Sequence, residues 1–437
     1  MASFWNKLGF VDNPYNPRPI SADEDGERLL VGRSTELQEI INRLSSGGAH
    51  PTLEGQNGVG KTSLVTIALY KMFKEFKVGE STQAIIPMDE ALQLASDATS
   101  AHFKKKVLYQ VARGMINHHQ LLKSRGYDVP DVADVDRWLN QPVANGKNFG
   151  ISTPFGGGSV GVSTTFNTSN GFSEVGFETI VRDWLKNCFP TRSSGSFVFI
   201  IDNLEILETS QAARRMLEAL RDDLLNTPGL SFVICGARGI MRNALSNRLT
   251  GLLSQPLEVL PLPDSEIPEL VKARIEVYSL DDKPFVPVDV NRFEHLYSIL
   301  NRNLRNAIKF AEDFSLHVAP QANNNLSEDD LNNKLEEWVK RSAGLYAEAA
   351  SNITKTAWRV FDQLCKIGGS TSPGNHSDFG FESPQAMRPH LKALEVGNLI
   401  ETIVDEDDNR RRSITVSSSG WLVAYKRSDF KAKGIDA

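Results

Sequence analysis

Gly55-Gln56-Asn57-Gly58-Val59-Gly60-Lys61-Thr62 is the stretch whose reading decides the fold. It fits G-x-x-x-x-G-K-[ST], in which closely spaced glycines let backbone N–H groups curl around phosphate oxygens, a lysine adds a point charge and a hydroxyl is offered to Mg²⁺. Ser63 and the apolar run Leu64-Val65-Thr66-Ile67-Ala68-Leu69 follow, predicting a helix whose positive N-terminal end faces the phosphates. The strand ahead of the loop is expected to be short, because His50-Pro51-Thr52-Leu53 starts at a proline, which cannot donate to a ladder. A glycine-rich turn that merely precedes a lysine is the plain alternative.

Working outward, Phe197-Val198-Phe199-Ile200-Ile201 has the continuous apolar character of a buried parallel strand and ends in Asp202. Paired with Lys61 and Thr62, Asp202 is expected to hold Mg²⁺ directly or through water, since a hard cation takes oxygen ligands. Ala84-Ile85-Ile86-Pro87-Met88, Phe232-Val233-Ile234-Cys235-Gly236 and Leu257-Glu258-Val259-Leu260 read as further strands. The fold class expected is therefore α/β, with a five-stranded parallel sheet. Residues 91–195 exceed one crossover and read as an insertion, with helices near Phe103–Tyr109 and Val135–Leu139 and a Gly/Ser-rich hairpin at 150–171 that touches a partner.

Composition narrows the class further. The 437 residues allow roughly two to three domains. With 40% hydrophobic and 23% charged residues the chain is an ordinary globular protein, and its net charge of −6 gives no global attraction to nucleic acid. Cys188, Cys235 and Cys365 are far apart and lack metal-ligand spacing. No run approaches the length of a membrane helix and the N-terminal stretch has no signal-peptide core, so the expected location is the cytoplasm.

A family resemblance enters at Asn13-Pro14-Tyr15-Asn16-Pro17 and Val31-Gly32-Arg33-x-x-Glu36-Leu37 ahead of the loop. With Lys61-Thr62 and the Walker B-like Asp202, these segments resemble AAA+ and STAND-type ATPases, especially the origin-recognition branch. The resemblance implies ATP and Mg²⁺ as cofactors, with Val31, Gly32 and Arg33 beside the adenine and residues 55–63 around the phosphates. A turn plus an amphipathic helix is the bland reading of the same residues. One departure matters. Where AAA+ enzymes usually carry a Glu to orient the attacking water, this chain has Asn203, with Glu205 two positions on, resembling the acidic second half of STAND motifs and predicting slow turnover. Arg238, after the strand at 232–236, resembles a γ-phosphate sensor, which is the reading favoured over a surface ion pair, and Arg242 and Arg248 are alternatives, either acting in trans in an oligomer. In Asn301-Arg302-Asn303-Leu304-Arg305, the resemblance makes Arg305 the sensor-2 arginine, with Arg302 the near alternative and a helix start with an exposed Arg the bland one.

The expected domains are an ATPase core at 1–262, a helical lid at 263–320, a linker helix at 321–350 and a winged helix at 351–437. Within the last, Pro389 is expected to kink or cut a helix at 384–396. Arg388, Lys392 and Arg410, Arg411 and Arg412 are the candidate DNA contacts, although acidic residues share the wing and such modules also dock proteins. No other catalytic constellation is visible. The functional expectation is an ATP-binding, slowly hydrolysing switch acting through a homo-oligomer or a protein effector, for instance in a bacterial defence or regulatory system. The alternatives are a DNA-binding initiator or loader and a scaffold that has lost its nucleotide.

Overall fold

The computed structural model describes residues 3–88, 91–93, 99–140, 174–202, 210–237, 241–242, 245–280, 283–320, 326–350, 352–404 and 412–432. The expected hairpin at 150–171 lies outside them. Five parallel strands form the central sheet: β1 (Thr52–Glu54), β2 (Ala84–Pro87), β3 (Gly195–Ile201), β4 (Leu230–Gly236) and β5 (Leu257–Glu258). Their order is β2-β3-β4-β1-β5.

The strand that looked weakest in sequence sits inside this sheet, between β4 and β5. Pro51 lies just ahead of it and is used as an acceptor, taking the Ile234 N–H at 3.0 Å. Thr52 Oγ1 donates to Ser254 O at 2.9 Å, and Thr52, Leu53 and Glu54 are all buried. Three residues suffice because both neighbours hold them.

Helix α1 (Glu24–Leu29), α2 (Ser34–Ser45) and α3 (Lys61–Val78) follow the N-terminal segment and the phosphate loop. Ile40 and Leu44 of α2 and Leu64, Val65 and Ala68 of α3 cover one face of the sheet, against Leu53, Val198, Ile200 and Val233. The other face carries Phe197, Phe199, Phe232 and Ile234. It is closed by α4 (Ser100–Ser124), α6 (Glu174–Cys188) and α7 (Ser210–Leu220), with α5 (Ala133–Asn140) alongside. The helices of the expected insertion are thus part of the core, as a parallel sheet requires apolar cover on both faces.

Beneath this second face His50 is buried. Its Nε2 donates to Leu225 O at 2.7 Å, and its Nδ1 accepts the Phe232 N–H at 3.3 Å. Burial, with Arg192 nearby, pushes its pKa from 6.5 down to about 4. The imidazole is therefore neutral in the fold, and a second proton would cancel the Nδ1 acceptor. Because the folded value is depressed, stability is intact above pH 6.5 and is lost as pH falls toward 4, by about 3 kcal/mol at about 1.4 per pK unit. Urea midpoints of wild type and His50→Gln at pH 7 and pH 4.5 should converge on acidification; parallel curves would refute the assignment.

The second region comprises α8 (Ile267–Tyr278), α9 (Val290–Ile299), α10 (Leu304–Val318) and α11 (Glu328–Ala349). Leu270, Phe293, Leu296, Ile308 and Phe314 share one cluster with Leu331, Leu335 and Val339 of α11. The helix expected as a linker is therefore a wall of the lid. Its start is fixed by a capping box between Ser327 and Asp330. The N-terminal segment also belongs here. Val11 N donates to Tyr278 O and Leu280 N to Gly9 O, both at 2.8 Å. Tyr15 is buried in the lid cluster, its hydroxyl donating to Val288 O at 2.7 Å.

The C-terminal unit runs α12 (Lys355–Lys366), β6 (Ser370–Thr371), α13 (Pro384–Val396), β7 (Ile400–Val404), β8 (Arg412–Val416) and α14 (Ser418–Ala432). Its antiparallel sheet has the order β6-β8-β7, the layout of a winged helix. Pro389 does not cut α13, which runs through it. An interior proline costs about 3 kcal/mol, and burial of Met387, Leu391 and Leu394 on its inner face offsets that loss.

Candidate functional site

The phosphate loop leaves the C-terminal end of β1 and turns into α3. Gly58 and Gly60 take positive φ of 85° and 97°, conformations that only glycine adopts at little cost. The loop thereby presents the N-terminus of α3, whose first N–H groups have no partner within the helix. Lys61 is buried, its ammonium donating to Gly55 O at 2.9 Å and Gln56 O at 3.1 Å. Thr62 Oγ1 donates to Asp202 Oδ2 at 2.6 Å. The loop and the carboxylate at the end of β3 meet, as their pairing in the sequence predicts.

A cavity of about 650 Å³, counting space open to solvent, adjoins the loop. Pro17, Arg18, Pro19, Ile20 and Val31 line one side, Gly58, Val59, Gly60, Thr62 and Ser63 the floor, and Leu270, Arg274, Leu304, Arg305 and Ile308 of the lid the other. Arg274 is buried and donates to Pro14 O at 2.9 Å and Asn16 O at 3.4 Å, so the lid holds the N-terminal wall of the cavity in place. Burial lowers its pKa to about 10, and it stays a cation at neutral pH.

The expected site residues fall into three groups. Val31, Arg33, Gly58, Val59, Gly60, Thr62, Ser63 and Arg305 line the cleft, with Asp202 joined to it through Thr62 and Lys61 held on the loop carbonyls behind it, whereas Gly32 packs against Leu262 and Glu266. Arg33, however, spends its guanidinium on structure, donating to Val59 O at 3.2 Å, Leu260 O at 2.7 Å and Glu36 Oε1 at 2.8 Å. It braces the loop. Among the arginine alternatives, Arg242 is ion-paired with buried Glu54 at 2.8 Å, Arg248 lies 3.9 Å from Glu218, and Arg302 is paired with Asp264. Asn203, Glu205, Arg238, Arg410 and Arg411 lie outside the described residues, as does the side chain of Arg412. In the C-terminal unit Arg388 and Lys392 are exposed on α13, far in sequence from the cleft, and Lys392 is paired with Glu395 at 2.8 Å.

Sequence reading missed Glu54 and Asn303. A carboxylate directly before Gly55, at the end of a buried strand, was a visible signal. Asn303 was visible only as an N-cap, accepting the Asn306 N–H at 3.1 Å. Its second bond, Nδ2 to Asn57 O at 2.8 Å, joins distant parts of the chain.

No family model matches the chain, and no curated protein matches its sequence. Solved structures do resemble it. An Aeropyrum pernix Orc1 protein in complex with DNA aligns at TM-score 0.47 and 12% identity, over 100% of both chains. A Walker-type ATPase of Pyrococcus abyssi aligns at 0.42 and 14%, over 94% of this chain and 99% of the other. Thermotoga maritima RuvB aligns at 0.39 and 12%, over 96% and 99%. Likenesses at this level carry no weight of their own. The sheet order, the loop after β1 and the Thr62–Asp202 contact define the class: a P-loop nucleotide-binding fold. Among the described residues no helix is long and apolar enough to cross a membrane.

Proposed function

We propose that the chain is an ATP-binding, slowly hydrolysing switch that couples nucleotide state to self-assembly or to a protein effector. The observation that carries this reading is the meeting of Lys61, Thr62 and Asp202 at the mouth of a cleft walled by the lid. The Thr62 hydroxyl and Asp202 carboxylate are hard oxygen donors, a set that suits Mg²⁺, which usually takes one or two protein oxygens and leaves the rest to phosphate and water. Bound there, the ion would supply charge neutralisation on the phosphate oxygens. The chain's own part is to hold the phosphates with the loop amides and Lys61, to position the base between residues 17–20, Val31 and the lid, and to place Arg305 at the loop. Arg238 is assigned to γ-phosphate sensing from its position after β4. With Asn203 after the metal-binding Asp, turnover is slow, and Glu205 is the nearest carboxylate in sequence.

The test is size-exclusion chromatography with light scattering on wild type with ADP, ATP and a non-hydrolysable analogue, alongside phosphate release. Analogue-dependent assembly or compaction with slow release is expected. Release at motor-like rates, or no response to any nucleotide, would overturn the switch.

A second reading, a DNA-binding initiator or loader, is favoured by one observation: Arg388 and Lys392 stand exposed on α13 while Met387, Leu391 and Leu394 point inward. On that reading, duplex affinity falls steeply with salt and an Arg410/Arg411/Arg412 triple alanine variant abolishes it. Salt-independent or absent binding removes it.

A further inference from the structure

One short turn touches three parts of the molecule. Between α9 and α10, Asn301 and Arg302 both take left-handed backbone, with φ of 51° and 60°, which L side chains adopt only where their surroundings hold them. Arg302 is ion-paired with Asp264, just before the first lid helix. Asn301 Nδ2 donates to Gly368 O at 3.3 Å, in the C-terminal unit. Asn303 Nδ2 donates to Asn57 O at 2.8 Å, and Arg305 N to Gly58 O at 3.1 Å, on the crest of the phosphate loop. Gly58 is bare where the turn lands: a Cβ there would lie 2.5 Å from Asn303 Oδ1 and 3.0 Å from Arg305 Cβ.

A trans peptide points its C=O and the next residue's N–H in opposite directions. The carbonyls of Asn57 and Gly58 face the lid, so the N–H groups of Gly58 and Val59 face away from it, toward the concave side of the loop. A phosphate accepting those N–H groups polarises both peptides and makes their carbonyls better acceptors for Asn303 and Arg305. We propose that Asn303 is a positioning residue that reads diphosphate occupancy through the back of the phosphate loop, and that the turn at 301–303 passes this state to the C-terminal unit at Gly368. The proposal rests on the nucleotide reading above. It has a distinctive consequence. Loop amides of this kind serve the phosphates that ADP and ATP share, so the Asn303 contact responds to both, whereas the Arg305 side chain responds to the γ-phosphate alone.

Asn303→Asp separates the two bonds of this side chain. Aspartate caps a helix as well as asparagine does, so the bond from Asn306 N survives, but the donor to Asn57 O becomes an acceptor. Affinities of the full chain for fluorescent ADP and for a non-hydrolysable ATP analogue are measured together with amide exchange of residues 366–371. The expected result is about fivefold weaker binding of both ligands by Asn303→Asp, the low end of measured couplings between sites, with loss of nucleotide-dependent protection at 366–371. Arg305→Ala weakens the analogue only. Asn301→Gly, which keeps the left-handed backbone without strain, binds within about twofold of wild type yet loses the same protection. Should Asn303→Asp fold poorly, Asn303→Ser, which retains a cap but has no Nδ2, gives the same comparison. ADP binding by the position-303 variants equal to wild type, or undiminished protection in Asn301→Gly, overturns the relay while leaving the nucleotide reading intact. Failure of the wild type to bind ADP or the analogue overturns both.

Discussion

Lys61→Ala yields a folded protein that takes up ATP about a hundredfold more weakly than wild type. The ammonium is buried at the loop and its donors rest on Gly55 O and Gln56 O, where it stands ready to exchange neutral carbonyl partners for phosphate oxygens. A hydrogen bond between charged groups contributes about 1.5–3 kcal/mol net, and about 3 kcal/mol is a factor of roughly a hundred in Kd. The fold loses less. Gln56 is exposed, so water takes the place of the lysine at its carbonyl, and the cost to stability is about 1 kcal/mol. Lys61→Arg does not restore binding, because a planar fork cannot occupy the place of a compact point charge. Retention of labelled ATP, with circular dichroism as the control for folding, decides the matter. Binding by Lys61→Ala within threefold of wild type would remove the phosphate-loop assignment and every functional statement that depends on it.

Much of the nucleotide core is legible in the residues themselves, because its signals are local. The loop pattern, the apolar run of β3 with Asp202 behind it, and the strand at 232–236 each occupy a single segment. What is not legible arises between segments. The proline before β1 suggested a marginal strand, yet β1 lies inside the sheet because β4 and β5 supply its partners. Pro389 carries a local penalty that the buried face of α13 outweighs. Residues 91–195, with the helix in α4, looked like an insertion since nothing in the periodicity of that helix says which sheet face it covers. The N-terminal segment was expected in the core domain by its place in the chain, but Tyr15 and Asn13 are anchored to the lid, at Val288 O and Glu312 Oε1. Asn303 shows the same limit most sharply: one of its bonds is a helix cap that any reader would predict, and the other reaches a loop near the opposite end of the chain.

Placing a carboxylate after Asp202 is expected to have the opposite sign from Lys61→Ala. Asn203→Glu raises the rate of phosphate release about a hundredfold or more, within the 10²–10⁴-fold range of a positioned general base. Asparagine can orient a water but cannot take its proton, whereas glutamate does both, and the strand that delivers position 202 is fixed along its length by β2 and β4. ATP affinity stays within about threefold of wild type, because the new group acts on the attacking water and not on the bound phosphates. A switch gains from the slow form: with hydrolysis slow, the ATP-bound arrangement of loop, lid and C-terminal unit persists long enough to recruit a partner, and accelerating it shortens that state. Asn203→Glu should therefore also reduce ATP-dependent assembly in light scattering while leaving analogue-dependent assembly unchanged. If release stays at the wild-type rate while ATP is still bound, the catalytic carboxylate lies elsewhere, and Glu205→Gln and Glu54→Gln, measured by the same release assay, locate it.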